Sequence, residues 1–304
     1  MNNQYNSEFM DVINVFKKYF DSKLFFIESH KNYFYVYYKY PGFNEQNFNN
    51  GSECLKVKIY QDPYDLNSPE KIYIKQLKYV QPNICKISGS ELLYKIYMIG
   101  KELNMNIVIE SDDAVKRYFA NKDSKAQCSI NLADYNILLK GMSWYNQFGY
   151  FTEDHKEQSE TNEDIRNQTI SEYFNDSYEK INNIINTINQ MDPNAKLTFE
   201  TPIKDVVKVI DVLKRKEENQ LFCDSPLILI IREILMMHKI EYNDEDLELE
   251  INDSYVHEIY NNLSKKLKMT TGGRNRKHRK TNRKHKKSYG KPKKRHYTKS
   301  NKRI

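Results

Sequence analysis

A strand–helix–strand pattern between residues 72 and 110 constrains this 304-residue chain more than any other feature. Ile72 to Val80 is rich in β-branched and aromatic residues and predicts a strand. Ser88-Gly89-Ser90-Glu91 has the spacing of a helix capping box, and apolar residues then recur at helical spacing as far as Leu103. Asn106 to Glu110 predicts a short buried strand. A helical crossover between two adjacent strands makes them parallel, so we expect an α/β (α+β) chain.

The segments around this unit divide the chain into three parts. Helical spacing predicts a helix at 8–20, and strand-like segments follow at 24–28, 33–40 and 55–60. After residue 152 the pattern is helical, with predicted helices at about 168–190, 202–216, 226–239 and 253–268. We therefore predict a mixed-sheet domain at 1–152, a small helical domain at 153–268 and a basic tail at 269–304.

The first strand of the unit changes phase along its length. Ile72 and Ile74 share one face of a regular strand, whereas Leu77 and Tyr79 have the opposite parity. A β-bulge would absorb the extra residue, bend the strand and free backbone groups for a ligand. A strand that is buried on both faces and has no bulge explains the same residues equally well.

A second motif runs from Trp144 to Tyr150, with the sequence Trp-Tyr-Asn-Gln-Phe-Gly-Tyr. An aromatic pair is followed, after three residues, by Gly149 and another aromatic residue. This order predicts a helix that closes on Gly149 and leads into a strand. A turn that packs in the core is the competing interpretation.

Together these segments resemble the GNAT superfamily of N-acetyltransferases over about residues 55–152. In that family a bulged strand leads into a loop and a helix N-terminus that hold the pyrophosphate of acetyl-CoA, and a second parallel strand diverges from the first. Helix N-termini bind phosphates through their unpaired N–H groups. The resemblance implies a GNAT-like mixed sheet and assigns acetyl-CoA contact to Lys86, Ile87, Ser88, Gly89 and Ser90.

The resemblance also implies which residues would carry the chemistry. Tyr145 begins a Tyr-x-x-x-Gly-aromatic motif and would donate a proton to the leaving thiolate. Glu110, at the end of the second strand, would take a proton from the acceptor amine, with Asp112 and Asp113 behind it. We therefore expect an acetyl-CoA-dependent N-acyltransferase.

The chain departs from the family pattern in three places. Glu91 stands where the family has Gly or Ala, and a carboxylate beside a pyrophosphate is unfavourable. Lys86 replaces the family's Gln or Arg. Residues 111–143 form a long insertion, which predicts either an extra helix pair or a scaffold that has lost catalysis. The alternative function is therefore an inactive GNAT-like scaffold that binds nucleic acid or serves as a virion structural protein.

The tail is strongly basic, whereas the rest of the chain is acidic. Residues 272–304 hold 16 of the 48 Lys and Arg residues and no Asp or Glu, so the rest has a formal charge of −9. Such an arm binds polyanions through phosphate contacts of low sequence specificity, and it should be disordered when unbound. A nuclear localisation signal or a solubilising tail is the competing interpretation. We assign nucleic-acid contact to Arg274, Arg276, Lys277, Arg279, Lys280, Arg283, Lys284, Lys286, Lys287, Lys293, Lys294 and Arg295.

The cysteines and the hydropathy pattern indicate in which cellular compartment the protein is expected. Cys54, Cys85, Cys128 and Cys223 lie far apart without CxxC spacing, so neither a metal site nor a disulfide framework is indicated. An intracellular, reducing setting is expected, because the chain starts without a signal peptide. No apolar run is long enough to span a bilayer, so we expect no membrane contact. The Tyr- and Asn-rich composition with a basic arm is similar to that of uncharacterised giant DNA virus proteins, which implies a host-cell or virion location.

Overall fold

The computed structural model describes residues 7–30, 33–39, 53–60, 71–77, 87–112, 114–120, 126–217 and 221–268. The predictions for the basic tail, for Lys86 and for Asp113 fall outside these residues. The chain divides into two compact units, Met1–Tyr260 and Asn261–Ile304. In the second unit, the described residues 261–268 are helical. No helix in the described ranges is both long and apolar enough to cross a membrane.

The first unit combines a mixed sheet with helices, which confirms the α+β class. The six strands of the sheet have the order β1-β2-β3-β4-β5-β8, and β6 and β7 form a separate hairpin. In chain order the elements are α1 (Ser7–Tyr19), β1 (Phe25–Ser29), β2 (Tyr33–Lys39), β3 (Glu53–Tyr60), β4 (Lys71–Leu77), α2 (Gly89–Leu103), β5 (Asn106–Ser111), β6 (Val115–Phe119), β7 (Gln127–Asn131), α3 (Leu132–Lys140), α4 (His155–Asn167), α5 (Ile170–Tyr173), α6 (Tyr178–Met191), α7 (Ile203–Lys216), α8 (Pro226–Leu235), β8 (Glu245–Leu249) and α9 (254–268).

The predicted strand–helix–strand unit is present as β4, α2 and β5. The two strands pair in parallel, whereas the other strand pairs of the sheet are antiparallel. Helix α2 begins after Ser88, whose side chain accepts a hydrogen bond from the Glu91 amide at 3.1 Å. It ends at Leu103 because Asn104 adopts the left-handed conformation, with φ 55°.

The apolar core lies on one face of the sheet. Phe20, directly after α1, contributes a ring that lies 4.9 Å from that of Tyr38. Helix α2 packs closely at Gly100, where a β-carbon would lie 3.0 Å from the Ile107 side chain. Alternation along paired strands gives this face its buried residues, which are Phe34, Val36, Tyr38, Leu55, Val57, Ile59, Ile72, Ile74, Ile107, Ile109, Leu247 and Leu249.

A second apolar cluster lies mainly among the helices that follow residue 152, and it includes Tyr118, Ile130, Tyr135 and Leu138 of the 111–143 segment. Helices α5 to α8 surround buried isoleucines, including Ile184, Ile210 and Ile231. The chain then returns to the sheet, because the acidic run at 241–250 contains β8. This strand pairs with β5 as an edge strand.

The insertion at 111–143 is not the predicted helix pair. It contains the β6–β7 hairpin and the single helix α3. The hairpin buries only Tyr118 and Ile130, one residue from each strand. With so few apolar positions, the hairpin has no clear period-two signal in the sequence.

The cysteines also differ from expectation, because Cys128 and Cys223 form a disulfide. Their Cα atoms lie 5.8 Å apart, and 95 residues separate them in the sequence. The bond joins β7 to the segment before α8. Spacing along the chain carries no information about pairs that meet only in the folded protein, so the sequence did not indicate this bond.

Candidate functional site

Strand β4 contains a β-bulge at Lys75. The pairing with β3 passes from Ile74 opposite Val57 to Gln76 opposite Lys56, which leaves Lys75 as the extra residue. The bulge confirms one of the two explanations for the phase change in this strand. The parity of the apolar residues alone leaves the bulge and a regular strand buried on both faces as equal alternatives.

The parallel pairing of β4 with β5 ends just before the bulge. Their parallel pairs run from Lys71 opposite Asn106 to Ile74 opposite Ile109. After these pairs, β4 continues against β3 and β5 continues against β8. We call the unpaired stretch beyond Ile74 and Ile109 the gap; it lies at the carboxyl ends of the two strands, where open parallel sheets commonly bind ligands.

An ion pair spans this gap between the Lys75 ammonium and the Glu110 carboxylate. Both side chains are partly exposed, at 23% and 31%. Burial, followed by the charges of Lys58 and Lys56, lowers the pKa of Lys75. The charge of Asp246 acts in the opposite direction and favours the charged ammonium. Because it is paired with Lys75, Glu110 would have to exchange this partner before it could accept a proton from a substrate.

The predicted phosphate-binding residues Ser88, Gly89 and Ser90 lie at the start of α2. The first N–H groups of a helix have no intrahelical acceptor, so they can face an anion. A β-carbon at Gly89 would lie 3.1 Å from Cη2 of Trp144 and 3.6 Å from Cδ2 of Leu77. Glycine allows the indole ring to pack directly against the helix terminus. Ile87, half-buried, precedes this turn.

The carboxylate of Glu91 lies 4.0 Å from the ammonium of Lys95, one helical turn later. A lysine at this distance partly offsets the negative charge that the sequence places near the helix start. The negative charge that distinguishes Glu91 from the family's Gly or Ala is therefore partly compensated in the fold by Lys95.

Tyr145 lies in a tight turn that is held by Asn146. The Asn146 side chain accepts a hydrogen bond from the Ser143 amide at 3.1 Å and donates one to the Tyr150 carbonyl at 2.7 Å. The predicted helix is one 3₁₀ turn at Asn146–Phe148, and it closes on Gly149 at φ 86°. Tyr145 is only 7% exposed, and its ring lies 4.9 Å from that of Trp144.

A buried polar cluster lies beside these residues, and its members other than Asp112 have no signal in the sequence. The Tyr242 hydroxyl donates to the Asp112 carboxylate at 2.8 Å and lies 3.0 Å from the Ser143 hydroxyl. Burial raises the pKa of Asp112, and hydrogen bonds from Tyr242, Ser143 and the Ala114 backbone partly offset this effect. Burial and the nearby Asp112 also raise the pKa of Tyr242.

The cluster joins segments that are distant in the sequence. Asp112 follows Glu110 by two residues, and Ser143 precedes Tyr145 by two, so Tyr242 links the two predicted catalytic segments. Gly89 contacts Trp144, which brings the start of α2 to the same turn. The end of β5, the start of α2 and the 143–150 turn therefore lie together.

Comparisons of the chain with protein-family models, curated proteins and solved structures give no match.

Proposed function

We propose that this chain is an acetyl-CoA-dependent N-acyltransferase that its basic tail holds near nucleic acid. The main support is the gap between β4 and β5, which opens at the Lys75 bulge. Backbone groups freed by such a gap can pair with the amide groups of the pantetheine arm. The proposal keeps the roles that the GNAT resemblance implies for each residue.

The pyrophosphate would bind at the start of α2. The N–H groups of Gly89 and Ser90 and the partial positive charge of the helix terminus favour two phosphates there. Ser88 caps the helix and fixes the direction of those amides. Lys86 would add a positive charge, as predicted from the sequence.

Acyl transfer would need one base and one acid. In the proposed step, the acceptor nitrogen forms a bond to the acetyl carbon while the bond from that carbon to sulfur breaks. Glu110 takes the proton from the amine after exchanging Lys75, and Tyr145 gives a proton to the leaving sulfur. The Asp112–Tyr242–Ser143 cluster holds the two segments in position but contacts no reacting atom.

A silent scaffold is the second candidate, and two observations favour it. Glu110 is already paired with Lys75, and Tyr145 is 7% exposed. A protein with these features could bind acetyl-CoA or nucleic acid without turnover. In that case the tail would supply most of the binding, as expected for a packaging or virion component.

Turnover measurements distinguish the two candidates. We expect acetyl transfer from acetyl-CoA to small amines to fall by about 100-fold or more in Tyr145→Phe, since general acid catalysis contributes roughly that factor. The affinity for acetyl-CoA should stay nearly constant. An unchanged rate would remove Tyr145 from the acid role, and binding without any turnover would favour the scaffold.

A further inference from the structure

The face of the sheet opposite the apolar core is built from tyrosines and lysines. Side chains alternate along a strand, and cross-strand pairing aligns them. Tyr33 lies opposite Tyr60, and Lys58 lies between Tyr35 on β2 and Tyr73 on β4. We call this surface the tyrosine–lysine face and define it by Tyr33, Tyr35, Tyr37, Lys56, Lys58, Tyr60 and Tyr73.

The rings of this face form a connected series. The centroids of Tyr33 and Tyr35 lie 5.3 Å apart, those of Tyr33 and Tyr60 lie 6.0 Å apart, and those of Tyr60 and Tyr73 lie 5.1 Å apart. The Lys58 ammonium lies 4.2 Å from the centroid of Tyr33 and 3.9 Å from that of Tyr60. Aromatic planes and positive charges therefore alternate across three strands.

The face is accessible from solvent except at Tyr37, which is buried. Tyr60 is 38% exposed, and Tyr33, Tyr35, Tyr73 and both lysines are partly exposed. A sheet surface that only stabilised the fold would bury its aromatic rings against another layer, as the opposite face does. Partly exposed tyrosines on three adjacent strands are more typical of a recognition surface.

The charges of this face remain available. Three nearby carboxylates have other partners, because Glu110 pairs with Lys75, Glu248 pairs with Lys71 and Glu28 accepts a hydrogen bond from the Tyr37 hydroxyl. A fourth, Asp246, adds to the effect of burial in raising the pKa of Tyr73. Among the described residues, no carboxylate forms an ion pair with Lys56 or Lys58. Lys56 and Lys58 thus place two positive charges among the aromatic rings without a carboxylate partner in the described residues.

We propose that the tyrosine–lysine face binds single-stranded nucleic acid. Exposed rings on an open sheet stack on unpaired bases, and lysines between them neutralise the phosphates. In a duplex the bases are paired and stacked on one another, so they are not available to stack on the tyrosine rings. This site lies in the body of the chain, is separate from the tail and does not depend on the proposed acyl transfer.

The test uses the full chain, so it must separate this face from the tail. We would measure the affinity for a single-stranded oligo(dT) of about 12 nucleotides and for a duplex of equal charge, at several salt concentrations. The charge variant is Lys56→Gln with Lys58→Gln. Its matched control is Lys23→Gln with Lys101→Gln, which removes the same charge from exposed positions elsewhere.

The charge variant should lower the magnitude of the log–log salt slope for the single strand by roughly 1.4, since each lost contact contributes about 0.7. The control should leave the slope unchanged. Tyr60→Leu should weaken single-strand binding by roughly five- to hundredfold, as expected for one lost stacking contact, and should leave duplex binding unchanged. Ultraviolet cross-links to oligo(dT) should map to peptides within residues 33–77.

Three results would overturn the proposal. In the first, the charge variant matches its control and the cross-links fall only in residues 269–304. In the second, deletion after Met269 removes all preference for single strands. In the third, poly-glutamate binds the face as tightly as oligo(dT), which would indicate an acidic protein partner. Lys56 and Lys58 are partly exposed, so the charge variant decides the outcome even if Tyr60→Leu fails to fold.

Discussion

Lys75 and Glu110 form an ion pair across the gap where β4 and β5 separate. Lys75 reaches this position because the β-bulge adds one residue to its strand. The same residue thus marks the irregularity in the sheet and neutralises the carboxylate proposed as the base. Before Glu110 can accept a proton from a substrate, the Lys75–Glu110 ion pair must therefore break.

The strength of this pair can be measured with a double-mutant cycle of Lys75→Met and Glu110→Gln. Both groups are partly exposed, so solvent weakens their attraction, and we expect a coupling of at most about 1 kcal/mol in urea denaturation. The matched control is the exposed pair Lys208 and Asp205, with a coupling of a few tenths of a kcal/mol. A coupling near zero for Lys75 and Glu110 would mean that the pair does not form in solution.

Gly89 should tolerate no side chain while Trp144 is present. Gly89→Ala places a β-carbon 3.1 Å from the indole, and we expect a loss of about 1–3 kcal/mol in the free energy of unfolding. Trp144→Phe in the same chain should recover part of the loss, because the smaller ring leaves room. Ser90→Ala is the control and should change stability little. If Gly89→Ala is as stable as the parent chain, the Trp144 indole does not pack tightly against Gly89 in solution.

The Cys128–Cys223 disulfide should stabilise the fold. It closes a long loop, and Cys128→Ala with Cys223→Ala should lower the free energy of unfolding by about 2–5 kcal/mol. Peptide mapping of the protein without reducing agent should recover the two cysteines in one cross-linked peptide pair. Alkylation of both thiols under those conditions would contradict the disulfide.

Stability should depend on pH through Asp112. Its pKa is raised in the fold, so the folded chain holds this proton more tightly than the unfolded chain. The resulting stabilisation is present below the unfolded pKa and is lost as pH rises through the folded pKa. Asp112→Asn removes that loss, so in urea denaturation its stability relative to the parent chain should increase as pH rises from about 3.9, the pKa of an unfolded aspartate, towards neutrality. Asp164→Asn, at an exposed position, is the control. A constant difference between Asp112→Asn and the parent chain across this range would contradict the effect of burial.

The sequence predicted the features that depend on strong local patterns. The β4–α2–β5 unit follows from apolar periodicity, and Gly149 closes its turn because glycine adopts φ 86° without strain. The parity change in β4 allowed a bulge but did not distinguish it from a regular strand buried on both faces. The 3₁₀ turn is shorter than the predicted helix because Asn146 satisfies the local backbone groups itself.

Features that depend on contacts distant in the sequence were not predicted. Tyr242 reaches Asp112 across 130 residues, and Cys223 reaches Cys128 across 95. The tyrosine–lysine face was missed for a different reason. Residues 33–38 (YFYVYY) are apolar or aromatic at every position, so their pattern does not indicate which side of the strand faces the core.

Acetyl-CoA binding tests the central proposal most directly. The full chain should be titrated by calorimetry at about 0.5 M salt, where contacts between exposed charges such as those of the tail are largely screened. We expect saturable heat with one acetyl-CoA per chain and weaker binding of ATP, which shares the phosphates but lacks the pantetheine arm. No heat at high micromolar protein, or equal heat from ATP and acetyl-CoA, would contradict an acyltransferase site between β4 and β5.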